Sequence, residues 1–389
     1  MDPSSSPSLI VEESDRSRPE ALQTLACDLV RSGVASAVCV GAAARSGARW
    51  AIGMATAGRL GADTMEPAVT RQTFFDLASL TKPLTALAAA RLVRMGKLDF
   101  SAPLAAWLPE VQGTPSANVP LDLFLAHRAG VSAYGALYRH LARGKWVAQE
   151  ALLIEAASAR RVDAAGAPPP SGFEPIYSDL GYLLAGEAVA RAGGQSLDAV
   201  IEQMVVLPLA CELGSARRLA AGDAGFRRKV AATELVPWRG GVLRGVVHDE
   251  NAWAYAGEGA AGHAGLFGTV RGVLRLGTAI LDSIHGRLDG FLTAPEIGRL
   301  VARRPGGTLR AGFDGKSEEG SSAGRKFGTS TVGHLGFTGT SIWCDPERQW
   351  VGVLLTNRVH PTRNHDAIRA ARPRAYDEMA EWCAAEARH

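Results

Sequence analysis

Four consecutive residues, Ser79-Leu80-Thr81-Lys82, hold the most reactive pairing in the chain. Residues three apart share a helix face, so the serine hydroxyl and the lysine amine can meet. Proline is tolerated in a helix only near its first turn, and Pro83 therefore predicts a helix beginning at about Ser79. There the positive end of the helix dipole favours a developing oxyanion. A desolvated lysine can give up and take back a proton, whereas arginine cannot. Only six of the 42 Lys and Arg residues are lysine, which makes a lysine at this spot informative. In a chain of this composition chance would supply ~0.4 Ser-x-x-Lys matches, so the motif alone also fits an N-cap serine beside a surface lysine.

Two further motifs stand downstream. Tyr177-Ser178-Asp179 lies between a proline-rich stretch and the helical run LGYLLAGEAVARAGG. Ser178 or Asp179 makes a natural N-cap, leaving Tyr177 on a loop and free to point into a cleft. A lone tyrosine there is equally a buried anchor. The third motif, His334-Leu335-Gly336-Phe337-Thr338-Gly339-Thr340-Ser341, reads as a strand whose glycines let a backbone or substrate approach closely. Without the others it would be a bulged edge strand.

In this order and spacing the three motifs resemble the serine β-lactamase and penicillin-binding-protein superfamily, most of all its class C β-lactamase-related esterases and D-amino-acid-directed peptidases. That superfamily carries Ser-x-x-Lys at a helix start, Tyr-x-Asn on a loop and a Lys-Thr-Gly-like triad on a strand. Five segments also look like one bacterial branch of serine hydrolases: LAHRAGVS (125–132), VVHDENA (246–252), GHAGLFGT (262–269), GSSAG (320–324) and LLTNRVHPTRN (354–364). The resemblance spans about residues 75–365. It departs at Asp179, where an asparagine is usual, and at His334, where a lysine is usual. Both changes remove features linked to carboxylate-bearing β-lactams or peptides.

The resemblance implies a serine hydrolase acting on a small ester, amide or peptide, with no cofactor and no metal. Ser79 would attack the carbonyl and form an acyl-enzyme. The oxyanion would rest on the backbone N–H groups of Ser79 and Phe337, with Asp179, His334, Gly336 and Thr338 contacting substrate. A free lysine titrates at ~10.4 and a tyrosine at ~10, and moving either to neutrality takes ~4 kcal/mol of environment. Lys82 and Tyr177 compete for one proton and form a coupled pair. Tyr177 is the favoured relay to the leaving group and water, with Lys82 keeping Ser79 ready.

Other chemistries are weaker. Gly320-Ser321-Ser322-Ala323-Gly324 matches Gly-x-Ser-x-Gly, but its flanks are neither the strand nor the helix that a Ser-His-Asp esterase needs. His248, Asp249 and His263 lack metal-ligand spacing and an obvious third ligand, and more simply hydrogen-bond loops around a cleft. A non-catalytic sensor of the same fold would not need all three reactive groups. Acyl transfer to an alcohol or amine remains an alternative to hydrolysis, as do β-lactamase, carboxypeptidase and D-aminopeptidase activities.

The elements that must position these groups come from both ends of the chain. Residues 19–33 predict a helix with Leu22, Leu25, Leu29 and Val30 on one face. A hairpin follows, built from ASAVCVGAAA and ARWAIGMATA around Arg45-Ser46-Gly47. Near the C-terminus, 334–344 and 350–358 read as strands around a turn at 345–349. A helix from about 365 carries Ile368, Ala371, Tyr376, Met379 and Trp382 inward, with Pro373 interrupting it. After Ser79 a helix with Leu84, Leu87, Ala88, Leu92 and Met95 ends at Gly96, and 164–172 and 314–333 read as long loops. The fold expected is an α/β (α+β) β-lactamase/transpeptidase-like single catalytic domain over 1–389. An α/β lobe (about 19–75 and 270–389) would carry the sheet, and a mostly helical lobe (about 76–269) would be inserted.

Composition agrees with a globular enzyme: 389 residues, 47% hydrophobic and a net charge of +3 with no basic tract for nucleic acid. Five scattered cysteines suggest neither zinc nor a disulfide framework. No signal peptide or membrane span is evident, and the expectation is a cytoplasmic protein with no nucleic-acid or membrane partner.

Overall fold

The computed structural model describes residues 13–15 and 20–388. Seven strands form one sheet: β1 (Glu13–Asp15), β2 (Ala37–Ser46), β3 (Arg49–Gly58), β4 (Asp314–Gly315), β5 (Val332–Leu335), β6 (Ser341–Asp345) and β7 (Trp350–Thr356). Their order is β1-β3-β2-β7-β6-β5-β4, antiparallel except for β1 against β3. The two ends of the chain thus meet at β2 and β7, with Val40 opposite Leu354 and Ala43 opposite Val351.

Both faces of this sheet are covered, which is why β2 is an almost unbroken apolar run. Val38, Val40, Ala42 and Ala44 face helices α1 (Glu20–Arg31) and α5 (Ala367–Glu386), packing with Leu22, Leu25, Tyr376 and Met379. The alternate residues, Cys39 and Ala43 with Val351 and Val353, pack beneath helix α4 (Val270–Ile284) through Val273, Leu274 and Leu281. That second core continues into the inserted, mainly helical region. There helix α2 (Thr81–Arg94) is buried almost all round and packs against helix α3 (Asp179–Gly193). A small sheet, in the order Phe75–Asp76, Leu266–Gly268, Leu213–Ser215, ties the approach to Ser79 to the GHAGLFGT segment.

Several elements differ from expectation. The hairpin turn is at Gly47 and Ala48, and Arg45 and Ser46 still pair with β3. Residues 334–344 are two antiparallel strands, β5 and β6, with the Gly-Phe-Thr-Gly run as the turn between them. Gly339 has φ +107°, a conformation that breaks a strand and favours glycine. Pro373 does not interrupt α5, whose flanking Ala371, Ala375 and Tyr376 are all buried. Met95 is half exposed, lying just beyond α2. Residue 19 lies outside the described residues. Among the described residues no helix is long and apolar enough to cross a membrane.

Candidate active site

Ser79 lies on a 3-10 turn, Ala78–Leu80, that runs directly into α2. Ala78 is held at φ +47°, an unfavourable conformation for a residue with a Cβ, and its N–H donates to Asp76 Oδ1 at 2.8 Å. The turn is clamped from the β5–β6 side. Thr338 Oγ donates to the Asp76 carbonyl (2.6 Å) and Thr340 Oγ to that of Leu77 (3.0 Å). Gly336 must be a glycine here, since a Cβ would meet the Leu77 carbonyl oxygen at 2.6 Å. The serine is thereby pressed against the strand end that carries the third motif.

Lys82 is completely buried one turn below, with Nζ 2.9 Å from Ser79 Oγ, 2.7 Å from Asp179 Oδ1 and 3.4 Å from the His263 carbonyl oxygen. Burial would lower its pKa, but the Asp179 carboxylate, and Tyr177 after it, outweigh that and hold it above the ordinary lysine value. The Nζ stands 4.5 Å from the centroid of the Tyr177 ring. Burial raises the Tyr177 phenol above its usual value against the opposing pull of the Lys82 charge.

Tyr177 is gripped between two imidazoles, His127 at 4.6 Å (stacked) and His334 at 5.9 Å between ring centroids. Ser178 caps α3, its Oγ accepting from Gly181 N–H (2.9 Å) and donating to the Ser132 carbonyl (2.6 Å). The Ser178 N–H donates to His127 Nδ1 (2.9 Å), which makes that nitrogen the acceptor and puts the ring proton on Nε2. Burial first, then the Lys82 charge, holds His127 well below its usual pKa.

His334 Nδ1 lies 2.9 Å from the Leu335 carbonyl oxygen, so Nδ1 is the donor and Nε2 an unprotonated acceptor. Burial and then Lys82 lower its pKa to about 3. A neutral acceptor therefore stands where the superfamily carries a cation.

A cleft of about 410 Å³ joins these groups, lined by Ser79, Tyr177, Asp179, His334, Gly336 and Phe337 among others. Among the described residues the Phe337 N–H has no protein acceptor, and its ring is half exposed. Of the expected substrate contacts, Asp179, His334 and Gly336 reach the cleft. Thr338 does not: its side chain is buried behind the Ser79 turn, bonded to Asp76. Sequence reasoning missed His127 and the clamp from Thr340. It also missed Arg358 and Arg372, whose guanidinium groups line the far end of the cleft while bonded to the carbonyls of Phe337, Gly336 and Thr340. His127 and Arg358 lay within flagged segments, but nothing in their spacing marked them.

His248, Asp249 and His263 do not face one another as a ligand set. His263 Nε2 pairs with Asp249 Oδ1 (3.0 Å) and His248 Nε2 with Glu234 Oε2 (2.9 Å). Among the described residues no group of three His, Cys, Asp or Glu side chains is placed to hold a metal. The Gly320–Gly324 loop is an irregular turn packed against α5 through Asp377, with neither a strand before it nor a helix after it.

Comparison with known proteins gives the family from sequence and the fold from structure. A profile of the Beta-lactamase family matches residues 23–376. The N-acetylmuramyl-L-alanine amidase of Bacillus subtilis (strain 168) is 32% identical over 313 residues, covering 74% of this chain and 69% of that protein. EstCE1, a hydrolase with promiscuous acyltransferase activity, superposes with a TM-score of 0.66 at 20% identity, over 91% of this chain and 98% of its own. The D-amino acid amidase of Ochrobactrum anthropi SV3 gives 0.65 at 19% identity, over 92% and 98%.

Proposed function

The chain belongs to the beta-lactamase family of serine hydrolases, and from that premise we propose that it cleaves a small ester or amide through an acyl-enzyme on Ser79. The observation that carries this reading is the Ser79 hydroxyl on a strained turn, 2.9 Å from a fully buried Lys82 and beside Tyr177. In the first step Ser79 Oγ bonds to the carbonyl carbon and its proton passes through the Lys82–Tyr177 pair to the leaving alcohol or amine. Water then attacks the acyl-enzyme, giving its proton to the same pair and returning Ser79. The amide N–H groups of Ser79 and Phe337 would take the oxyanion. Small substrates without a carboxylate are favoured over β-lactams, because His334 offers a neutral acceptor in place of a cation at the third motif, and the Arg358 and Arg372 guanidinium groups already serve backbone carbonyls.

Labelling with a fluorophosphonate followed by peptide mass spectrometry should put the adduct on the peptide containing Ser79. An adduct on Ser322, with Ser79→Ala still active, overturns the assignment. A panel of p-nitrophenyl esters, amino-acid amides and nitrocefin then tests the substrate class. A kcat/KM for nitrocefin above that for short esters and amides counts against it.

A second reading, cleavage of an amide borne by a sugar, is favoured by the amidase relative and by one surface feature. Tyr138, Trp238 and Trp253 form a short aromatic ladder, Tyr138 stacked on Trp238 at 5.8 Å between centroids and Trp253 edge-on to it at 5.9 Å, with Trp238 42% exposed. Asn251 binds this ladder through the Tyr138 N–H and the Gly135 carbonyl, two residues from Ala133, which accepts from the Asp179 N–H. Flat amphipathic rings of this kind suit a sugar face. Trp238→Ala should raise KM severalfold for a muramyl amide and leave short esters unchanged; equal effects on both exclude the reading.

A further inference from the structure

A trans peptide unit points its C=O and its N–H in opposite directions, so whatever holds one end aims the other. The unit between Gly336 and Phe337 would give its N–H to the oxyanion, and its C=O accepts from Arg372 Nη2 at 2.9 Å. The same Nη2 donates to the Thr340 carbonyl at 3.0 Å, across the turn between β5 and β6. The next carbonyl, that of Phe337, accepts from Arg358 Nε at 2.8 Å. Two guanidinium groups thus hold this backbone, and the close packing of Gly336 on the Leu77 carbonyl holds it against the Ser79 turn. We infer that Arg372 is a positioning residue for acyl transfer, which aims and polarises the Phe337 N–H through the Gly336 carbonyl.

This assignment rests on Ser79 as nucleophile and Phe337 as oxyanion donor, as proposed above, and goes beyond both by adding a group that acts through the peptide. Arg372 stands in the second turn of α5 and is 8% exposed. Among the described residues no carboxylate pairs with it, and its Nε is buried without a hydrogen-bond partner. Burial lowers its pKa to about 10, which leaves it charged at neutral pH. A buried cation without a counter-charge is costly, and an apolar side chain of similar volume would cover the same surface at less cost. Packing alone therefore does not account for an arginine here. The helix is already fixed to β6 one turn on, where the Tyr376 hydroxyl donates to Ser341 Oγ at 3.0 Å. What the cation adds is specific to the reaction. The tetrahedral intermediate places negative charge on the oxygen that faces the Phe337 N–H, and a guanidinium bonded to the other end of that peptide makes the N–H a stronger donor.

Arg372→Gln keeps a donor and removes the charge. It should lower kcat about twentyfold and leave KM nearly unchanged, a smaller loss than the ~10²–10³ that follows removal of an oxyanion donor itself. A small alkylboronic acid reads the same interaction without turnover. Its boron bonds to Ser79 Oγ, the serine proton passes to the Lys82–Tyr177 pair, and the adduct is a tetrahedral anion. Its affinity should fall by the same factor as kcat, because only the tetrahedral form puts charge on that oxygen. Arg372→Lys keeps the charge on a single-point donor and should fall between native and Arg372→Gln in both measurements. No fluorophosphonate label on Ser79 in the native protein removes the underlying reading. A labelled Ser79 with boronate affinity unmoved in Arg372→Gln overturns this inference alone. So does a rise confined to KM, which would make Arg372 a substrate contact. Thermal melting accompanies each variant. Should Arg372→Gln not fold, Arg372→Lys decides: a joint severalfold fall in kcat and boronate affinity supports the inference, and native boronate affinity overturns it.

Discussion

Ser79 and Ser322 both follow a residue with positive φ or stand two from one, both sit on irregular backbone and both match a serine motif. Around Ser79 the groups beneath the turn are buried and bonded: Lys82, Asp76, Thr338 and Thr340 are each at most 2% exposed, while Tyr177 and Asp179 are partly exposed to the cleft. Around Ser322 the bonds serve the turn itself. Ser321 Oγ accepts from the Ala323 N–H, and Asp377 Oδ1 accepts from the N–H groups of Arg325 and Lys326. Among the described residues no hydrogen bond reaches the Ser322 hydroxyl. The difference is one of dielectric as much as of partners. A proton relay needs water excluded so that one charge can bias another, and only the Ser79 turn lies between packed layers.

The largest effect expected from this contrast is on turnover. Ser79→Ala should lower kcat by at least ~10³-fold, as removal of a nucleophile does in units of this kind. Ser322→Ala should stay within twofold. Activity measured on the best ester of the panel, with melting temperatures for both variants, decides it. A large loss at Ser322 with a stable fold would mean that the buried clamp around Ser79 is structural only.

Much of this contrast was legible in the sequence, and the limits are physical. Pro83 and the three-residue spacing put Ser79 and Lys82 on one helix face, and the flanks of the Gly320–Gly324 run were visibly neither strand nor helix. The strand division at 336–340 was not legible, because Phe337, Thr338 and Thr340 suit a strand and only the conformation of Gly339 forces the turn. The Lys82–Asp179 bond spans 97 residues and joins two helix starts, which local periodicity does not report. Thr338 was expected in the cleft from the resemblance alone; the strand ends at Leu335, and the turn that follows sends its side chain to the Asp76 carbonyl instead.

Next in size is the proton relay. Tyr177→Phe keeps the ring between His127 and His334 and removes only the hydroxyl, so kcat should fall roughly a hundredfold, the usual loss for a general acid-base group. Lys82→Arg keeps the charge but brings a planar fork into a fully buried slot shaped for an ammonium, and should be at least as severe. The double variant should lose much less than the product of the two, because the groups act as a unit. Additive losses would separate Lys82 from Tyr177. Near-normal Tyr177→Phe would leave Lys82 as the base.

The two regions should also differ in acid. His334 has its folded pKa lowered to about 3, by burial first and then by Lys82, against ~6.5 in an unfolded chain. For a histidine depressed in this way the unfolded state binds the extra proton between those values. The stabilising contribution is thus complete above pH 6.5 and is lost as pH falls towards 3. By pH 5 the loss is about 2 kcal/mol. His334→Gln cannot take up that proton, so its stability should fall less between pH 7 and pH 5 than that of the native chain. Denaturant midpoints at the two pH values measure this. Identical slopes would mean that water reaches His334 and that the site is wetter than its packing indicates.

The smallest effect concerns what holds each turn in place. Thr338→Val is close to isosteric and removes the donor to the Asp76 carbonyl, the bond that presses the Ser79 turn onto the β5–β6 end. Leaving a buried carbonyl without its donor costs about 1–3 kcal/mol, and at this position the cost falls on the strained conformation of Ala78. A modest drop in melting temperature should therefore come with a fall in kcat of tenfold or less, and with little change in KM because Thr338 does not reach the cleft. Ser321→Ala removes the analogous local bond from the other loop, where the hydroxyl is only partly buried and water can replace it. Its stability should stay within about 0.5 kcal/mol of native and its activity should not move. If Thr338→Val instead raised KM and spared kcat, the threonine would be touching substrate, and the cleft would be arranged differently from the one described.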